Sequence, residues 1–162
     1  MICSLRKRVR LERNPAKEFM PRPIRALHIL RRSGQKGEPS SPVVFNGQFC
    51  HWPSPLKNEH EQLVLKFEFR VPSRGEYIVM FNTLAQVEVE VDGKLAFHRE
   101  AGGSMAPSFH RAPWNQSARL KLSAGVHELK AVLQRMPGNV APNWVIGVGD
   151  GTTLQWIPDA FE

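Results

Sequence analysis

The sequence predicts an all-β fold, an antiparallel β-sandwich of the jelly-roll type, preceded by a basic N-terminal extension. Residues 42–162 contain at least seven short β-type runs separated by turn signals, and no segment there has a convincing helical pattern. Two of the runs flank an Asp-Gly pair, a strong short-range signal of a β-hairpin. With 162 residues, 41% of them hydrophobic, the chain is long enough for one domain with a buried core.

The positive charge of the chain is concentrated in residues 1–41. This segment carries 11 Lys and Arg residues against 3 acidic ones, whereas residues 42–162 have a net charge of −1. A Gly, Ser and Pro-rich stretch closes the segment, so we predict a flexible or partner-docked extension over residues 1–41 and the sandwich over residues 42–162. Within the extension, residues 21–34 (PRPIRALHILRRSG) are predicted as a short basic helix, marginal when alone.

The first β-type runs show the alternation of half-buried strands. In residues 62–71 (QLVLKFEFRV) apolar positions oppose mostly charged ones, which is typical of an antiparallel strand with one solvated face. Residues 77–81 (YIVMF) are uniformly apolar and predict a buried strand. Residues 87–98 (VEVEVDGKLAFH) predict a hairpin around Asp92 and Gly93, because a two-residue type I′ turn needs positive φ at both positions.

The pattern continues through the C-terminal half. Residues 118–136 (ARLKLSAGVHELKAVLQRM) predict two strands joined by a turn at residues 123–125. Two more short β-type runs follow, NWVIGVGD at residues 143–150 and LQWIPDAF at residues 154–161. In the second of these, Trp156 is expected to anchor the C-terminus.

Three motifs carry a family resemblance: Gly75-Glu76-Tyr77, Val89 to Lys94, and Leu122 to Leu129. Their order resembles that of the carbohydrate-associated β-sandwich modules, namely the PA14 type and the galactose-binding-like jelly rolls. The resemblance spans roughly residues 60–150, and it implies a β-sandwich that serves as a non-catalytic, carbohydrate-binding module. Tyr77 is expected to pack on the core with its hydroxyl at the rim.

The polar notch at residues 82–86 departs from the PA14 pattern. PA14-type modules usually carry consecutive aspartates there, which help bind calcium and sugar hydroxyls, whereas this chain has Asn82 and Thr83. Because these side chains bring no charge, no calcium site is predicted. Asn82 and Thr83 are candidates for hydrogen bonding to a polar ligand. The alternative is that the notch is a polar turn that saturates its own backbone.

The long connection at residues 99–117 (REAGGSMAPSFHRAPWNQS) supplies the remaining candidates. Loops of this length in a compact domain often carry function. The predicted sugar-binding face combines aromatic planes for stacking with polar neighbours for hydroxyl groups: Phe109, His110, Arg111, Trp114 and Asn115. The alternative is that Phe109 and Trp114 cover an open end of the sandwich.

The sequence shows no motif for catalysis, metal binding or a cofactor. Its six histidines lack ligand spacing, and two cysteines, Cys3 and Cys50, make neither a disulfide framework nor a zinc site. No nucleophile elbow or phosphate-binding loop occurs, and the carboxylates Glu88 and Glu90 fall on one solvated strand face. We therefore predict a protein that is not an enzyme, with no metal and no cofactor.

Three functions remain open. The first is carbohydrate recognition through the loop-end face that holds the residues named above. The second is a structural or protein-interaction domain that docks on a protein partner through residues 1–41. The third, non-specific nucleic-acid binding by the same segment, is disfavoured because Phe19 is its only aromatic residue for base stacking. No apolar run approaches the length of a membrane span, no secretory signal precedes the basic residues, and the compartment stays open.

Overall fold

The fold is known from a computed structural model that describes residues 23–32, 43–46, 49–57, 60–102, 116–134 and 136–162. These residues form ten strands, and no α-helix occurs among them. The strands are β1 (Pro23–Arg32), β2 (Val43–Asn46), β3 (Phe49–His51), β4 (Glu61–Val71), β5 (Gly75–Thr83), β6 (Gln86–Val91), β7 (Lys94–Arg99), β8 (Ser117–Leu122), β9 (Gly125–Gln134) and β10 (Asn143–Asp150).

The strands build two sheets, and every pairing between described strands is antiparallel. The six-stranded sheet has the order β2-β1-β4-β9-β6-β7, and the four-stranded sheet has the order β3-β10-β5-β8. Alternate residues of β4, β6 and β9 are buried between the sheets, and Phe67 of β4, Phe81 of β5 and Trp144 of β10 are fully buried there. The predicted antiparallel β-sandwich is confirmed.

Strand β1 corrects the prediction for the N-terminal segment. The expected helix over residues 21–34 is wrong, because residues 26–32 pair residue by residue with β4 and residues 23–26 pair with β2. Ile24 and Ala26 belong to the buried core. A short isolated helix has little stability in water. A strand at this place forms hydrogen bonds with the backbone groups of β4, which would otherwise lack partners within the sheet. Residues 23–32 are thus part of the sandwich, although the predicted extension over residues 1–41 included them.

The predicted hairpin and the role of Tyr77 agree with the structure. Asp92 has a φ of 50° and Gly93 a φ of 75°, the positive values that a type I′ turn requires between β6 and β7. Tyr77 is buried, and its hydroxyl donates a hydrogen bond of 2.7 Å to the carbonyl oxygen of Ser73 in the β4–β5 turn. Its ring thus packs in the core while its polar group lies at the rim.

The C-terminal segment crosses the outer face of the four-stranded sheet and then closes one end of the sandwich. Trp156 lies over Gly147, so closely that a Cβ on Gly147 would be 1.5 Å from its Cζ3 atom. Further along, the carbonyl oxygen of Ala160 accepts a hydrogen bond of 2.6 Å from the backbone N–H of Arg70. Phe161 packs against core phenylalanines of β4. These contacts fit the expectation that Trp156 anchors the C-terminus.

Candidate functional site

The notch and the described residues that flank the long connection lie at the same end of the sandwich. The predicted notch at residues 82–86 begins inside β5, which includes Asn82 and Thr83 as its last two residues. The described chain stops at Gly102, shortly after β7, and resumes at Gln116, directly before β8. Strand β8 pairs with β5, and β10 starts beside Thr83, to which Trp144 is the partner. We call this end, formed by residues 83–86, 99–102, 116–117 and 142–143, the loop end.

Thr83 is held by the backbone around it. The residue is fully buried, and its hydroxyl donates a hydrogen bond of 2.6 Å to the carbonyl oxygen of Asn143. The same oxygen accepts a hydrogen bond of 3.1 Å from the N–H of Ala85. Since one donor and one acceptor function of the hydroxyl are used in this way, the geometry agrees with a polar turn that satisfies its own backbone.

Arg99 ties the notch to the start of the long loop. The residue is 6% exposed, and its guanidinium donates from Nη1 to the carbonyl oxygen of Thr83 and from Nη2 to that of Gly102. The N–H of Gly102 in turn donates a hydrogen bond of 2.8 Å to the carbonyl oxygen of Leu84. Burial lowers the pKa of the Arg99 guanidinium, which nevertheless stays charged at any physiological pH. A buried cation therefore fixes the point at which the loop leaves the sandwich.

The loop end is rich in buried amides. Asn82 of β5 and Gln116 before β8 are buried, and Asn143 at the start of β10 is partly buried. Thr83, Arg99 and Gln116 are thus buried polar residues at the loop end of an otherwise apolar core, while Asn82 lies on the other face of β5, with Ile78 and Met80. Burying polar groups costs free energy unless they are hydrogen-bonded, and Thr83 and Arg99 meet this requirement through bonds to backbone groups.

Arg99 and Gln116 were not among the predicted residues. The sequence does contain a signal for Arg99: Phe97 points into the core, so the period of two along β7 places Arg99 on the same inward side, next to the polar notch. Gln116 has no such signal, because its burial depends on where the long loop returns.

The other predicted site residues lie outside the described residues. These are Phe109, His110, Arg111, Trp114 and Asn115. The structure therefore describes the base from which the loop leaves and to which it returns, with Asn82 and Thr83 at that base.

At the opposite end of the sandwich, the buried His127 is paired with Asp92, whose side chain is largely exposed. His127 of β9 donates from Nδ1 to Asp92 Oδ2 at 2.7 Å and from Nε2 to the carbonyl oxygen of Ser123 at 2.8 Å. Burial lowers the pKa of His127, but the hydrogen bonds to Asp92 and Ser123 outweigh it and raise the value. For Asp92, burial raises the pKa, but the hydrogen bonds from His127 and from the N–H of Glu128 lower it overall. Because both ring nitrogens face acceptors, the imidazolium form is stabilised and braces the β6–β7 turn.

Features of other protein classes are missing from the described part of the chain. Within it, no three His, Cys, Asp or Glu residues lie close enough to hold a metal ion. None of its segments is a helix long and apolar enough to cross a membrane. Burial raises the pKa of the Cys50 thiol to about 12, so this cysteine carries little thiolate at neutral pH.

Solved structures share this fold at low sequence identity. A β-glucosidase from Kluyveromyces marxianus in complex with glucose matches with a TM-score of 0.55 and 14% identity, over 77% of this chain and 16% of that chain. An anti-sigma factor domain-containing protein matches with a TM-score of 0.53 and 12% identity, over 88% and 46% of the two chains. The PA14 domain of the MpAFP antifreeze protein matches with a TM-score of 0.48 and 8% identity, over 85% and 86%.

These likenesses concern the fold. No family model and no curated protein matches the sequence. The chain spans about a sixth of the β-glucosidase and just under half of the anti-sigma factor protein. The predicted resemblance to carbohydrate-associated β-sandwich modules is confirmed as a likeness of fold.

Proposed function

We propose that this protein is a non-catalytic β-sandwich module that binds carbohydrate at its loop end. The observation that carries the proposal is the contact of Arg99 with both the notch and the loop base, through Thr83 and Gly102. A loop anchored at its first residue by a buried guanidinium presents its side chains with less conformational freedom. Less ordering entropy is then lost when a ligand binds.

The proposal divides the predicted residues into two roles. Phe109 and Trp114 stack on the C–H faces of a sugar ring, while His110, Arg111 and Asn115 hydrogen-bond to its hydroxyls. Asn82 and Thr83 are fully buried, so their part is to support the loop base beneath these side chains. The order of the loop residues suits this division, since the aromatic residues bracket the basic ones.

Two further observations support the proposal. The buried polar residues of the loop end are Thr83, Arg99 and Gln116, whose hydroxyl, guanidinium and amide are hydrogen-bonding groups of the kind that recognise hydroxyl-rich ligands. The fold also recurs in a segment of a β-glucosidase whose structure was determined with glucose. A likeness of fold by itself assigns no function, and the site must be tested directly.

The test is a glycan-array screen of the full chain, followed by titration of any glycan that binds. Trp114→Ala is expected to weaken binding at least about tenfold, because an aromatic platform is lost. Arg111→Ala is expected to weaken it as well, whereas Arg74→Ala serves as the matched control, since Arg74 is exposed in the β4–β5 turn at the opposite end.

The result that would overturn the proposal is equally definite. If the folded protein binds no glycan, the structural or docking function becomes the better hypothesis. If a glycan binds equally well to the wild type and to both loop variants, carbohydrate binding stands but its site does not lie on the loop.

A further inference from the structure

A groove runs across the outer face of the six-stranded sheet. It encloses about 170 Å³ and is lined by residues of β4, β9, β6 and β7. One side of it is a row of glutamines from adjacent strands, because Gln134 of β9 is the register partner of Gln86 of β6 and its side chain meets that of Gln62 of β4. The row lies at the end of the sheet nearest the loop end, since β6 begins at Gln86.

The glutamine row offers both kinds of hydrogen-bonding group. Gln62 Nε2 donates to Gln134 Oε1 at 2.6 Å, which fixes the orientation of these two carboxamides relative to each other. Each carboxamide has N–H donors and a carbonyl acceptor, and each sugar hydroxyl is likewise both donor and acceptor. Oriented amides side by side, one strand spacing of about 4.8 Å apart, therefore suit a ligand that carries several hydroxyls along one edge.

The floor of the groove is apolar although it lies on the outside of the sandwich. Val132 lines the groove and is 9% exposed, and its cross-strand partner Val64 is 2% exposed. Neither valine belongs to the core between the sheets. An apolar floor beside amide groups matches the two surfaces of a sugar ring, whose C–H groups face one way and whose hydroxyls lie at the edge.

Positive and negative side chains are balanced around the groove. Glu88 of β6 and His98 of β7 are cross-strand partners and both line it, as does Lys130 of β9. Lys130 is held by Glu90, with 3.3 Å between Nζ and Oε2. With one cation and one carboxylate in its lining and a second carboxylate on the cation, the groove has no excess of positive charge to attract an anionic ligand.

We propose that this groove binds one ring of a neutral saccharide, as a second carbohydrate site distinct from the loop. The inference rests on the proposed function, since it assumes that the protein meets carbohydrate. The volume of the groove is consistent with one sugar ring, since 170 Å³ lies below the roughly 300–1,000 Å³ of typical small-molecule pockets. The hydroxyls of the ring contact the amides of Gln134 and Gln86, and its C–H face rests on Val132.

The test is a titration of the full chain, labelled with ¹⁵N, with the methyl glycosides of glucose, galactose and mannose, followed by NMR. Binding in the groove is expected to shift the side-chain amide signals of Gln62, Gln86 and Gln134. Gln134→Ala should weaken that binding about tenfold, the effect of losing a hydrogen bond to a hydroxyl. Gln155→Ala is the matched control, because Gln155 is an exposed glutamine in the C-terminal segment.

The outcomes separate this inference from the proposed function. Loss of binding in Gln134→Ala but not in Trp114→Ala supports the groove and refutes the loop as the site of that ligand. Loss in Trp114→Ala alone, with no shift of the three glutamine signals, overturns the groove and leaves the proposed function standing. No binding of any glycoside overturns the groove, and a negative glycan array would overturn the proposed function as well. Should Gln134→Ala fail to fold, Gln86→Ala provides the same comparison at the edge of the row.

Discussion

Replacing Ile24 by alanine tests whether β1 is a structural strand of the sandwich. Ile24 is 3% exposed and belongs to the core cluster, and its partner on β2 is Phe45. Burial of this kind predicts a loss of about 2–5 kcal/mol for the change to alanine. Because Ile24 lies near the start of β1, where neighbours can partly fill the space, we expect about 2–3 kcal/mol.

The assay is urea unfolding of the full chain followed by circular dichroism. With a denaturant slope of about 2 kcal/mol per molar urea, the expected loss moves the midpoint down by about 1–1.5 M. The same change should lower the melting temperature by roughly 4–12 °C. Arg25→Ala is the matched control, since Arg25 is the next residue on the strand and is exposed.

A definite result would refute this reasoning. If Ile24→Ala and Arg25→Ala both unfold within about 0.5 kcal/mol of the wild type, Ile24 is not buried in the folded protein. The segment would then behave as the extension that its charge predicts. If Ile24→Ala alone is destabilised, deletion of residues 1–41 should unfold the sandwich as well, because it removes β1.

Three other predictions follow from the described contacts. The raised pKa of His127 means that its stabilising effect is complete below about pH 6.5 and is lost as the pH rises through the raised value. The lowered pKa of Asp92 means that its effect is present above about pH 3.8 and is lost as the pH falls through the lowered value; Asp92→Asn should therefore flatten the pH dependence of the melting temperature. Gly147→Ala should displace Trp156, cost about 1–3 kcal/mol and change the tryptophan fluorescence; unchanged stability and fluorescence would show that the indole does not pack on Gly147. Arg99→Met should leave two carbonyl oxygens without their donor and speed hydrogen exchange at the loop base; unchanged exchange would show that the guanidinium does not hold the loop.

The strands with strict alternation could be predicted from the sequence, and β1 could not. Around the Asp92-Gly93 turn, the period of two and the demand for positive φ both point to the same hairpin. In β1, by contrast, Ile24, Leu27 and Leu30 have the spacing of a helix face, and a preference for a strand arises through pairing with β4, about 35 residues away along the chain. Local pattern loses to this long-range pairing because the isolated helix is weak.

The candidate sites show the same division between local and long-range information. The notch and the loop could be found because both interrupt the strand pattern. The glutamine row could not be found in this way. Gln62 and Gln134 are 72 positions apart in the sequence, and the row forms only when β4, β9 and β6 pair in the observed register. A shift of one residue in any of these registers would move a glutamine to the other face of the sheet, and no sequence pattern fixes the register that closely.

The two ends of the sandwich differ in how they are closed, and this difference bears on where function lies. At the opposite end, Phe161 packs on the core and the pair of His127 and Asp92 braces the turn, so packing and hydrogen bonds serve stability. At the loop end, Thr83, Arg99 and Gln116 are buried polar residues, in positions where apolar side chains would avoid the cost of burying polar groups.

Thr83→Val distinguishes the two interpretations of this end, because valine keeps the shape and removes the hydroxyl. The loss of the bonds to Asn143 and Ala85 should cost about 1–3 kcal/mol in either case. If the Thr83 hydroxyl serves to position the loop, the folded variant should also bind glycan more weakly than the wild type. If its affinity is unchanged while its stability falls, the notch is a polar turn that serves the fold alone, and the loop is positioned by other contacts.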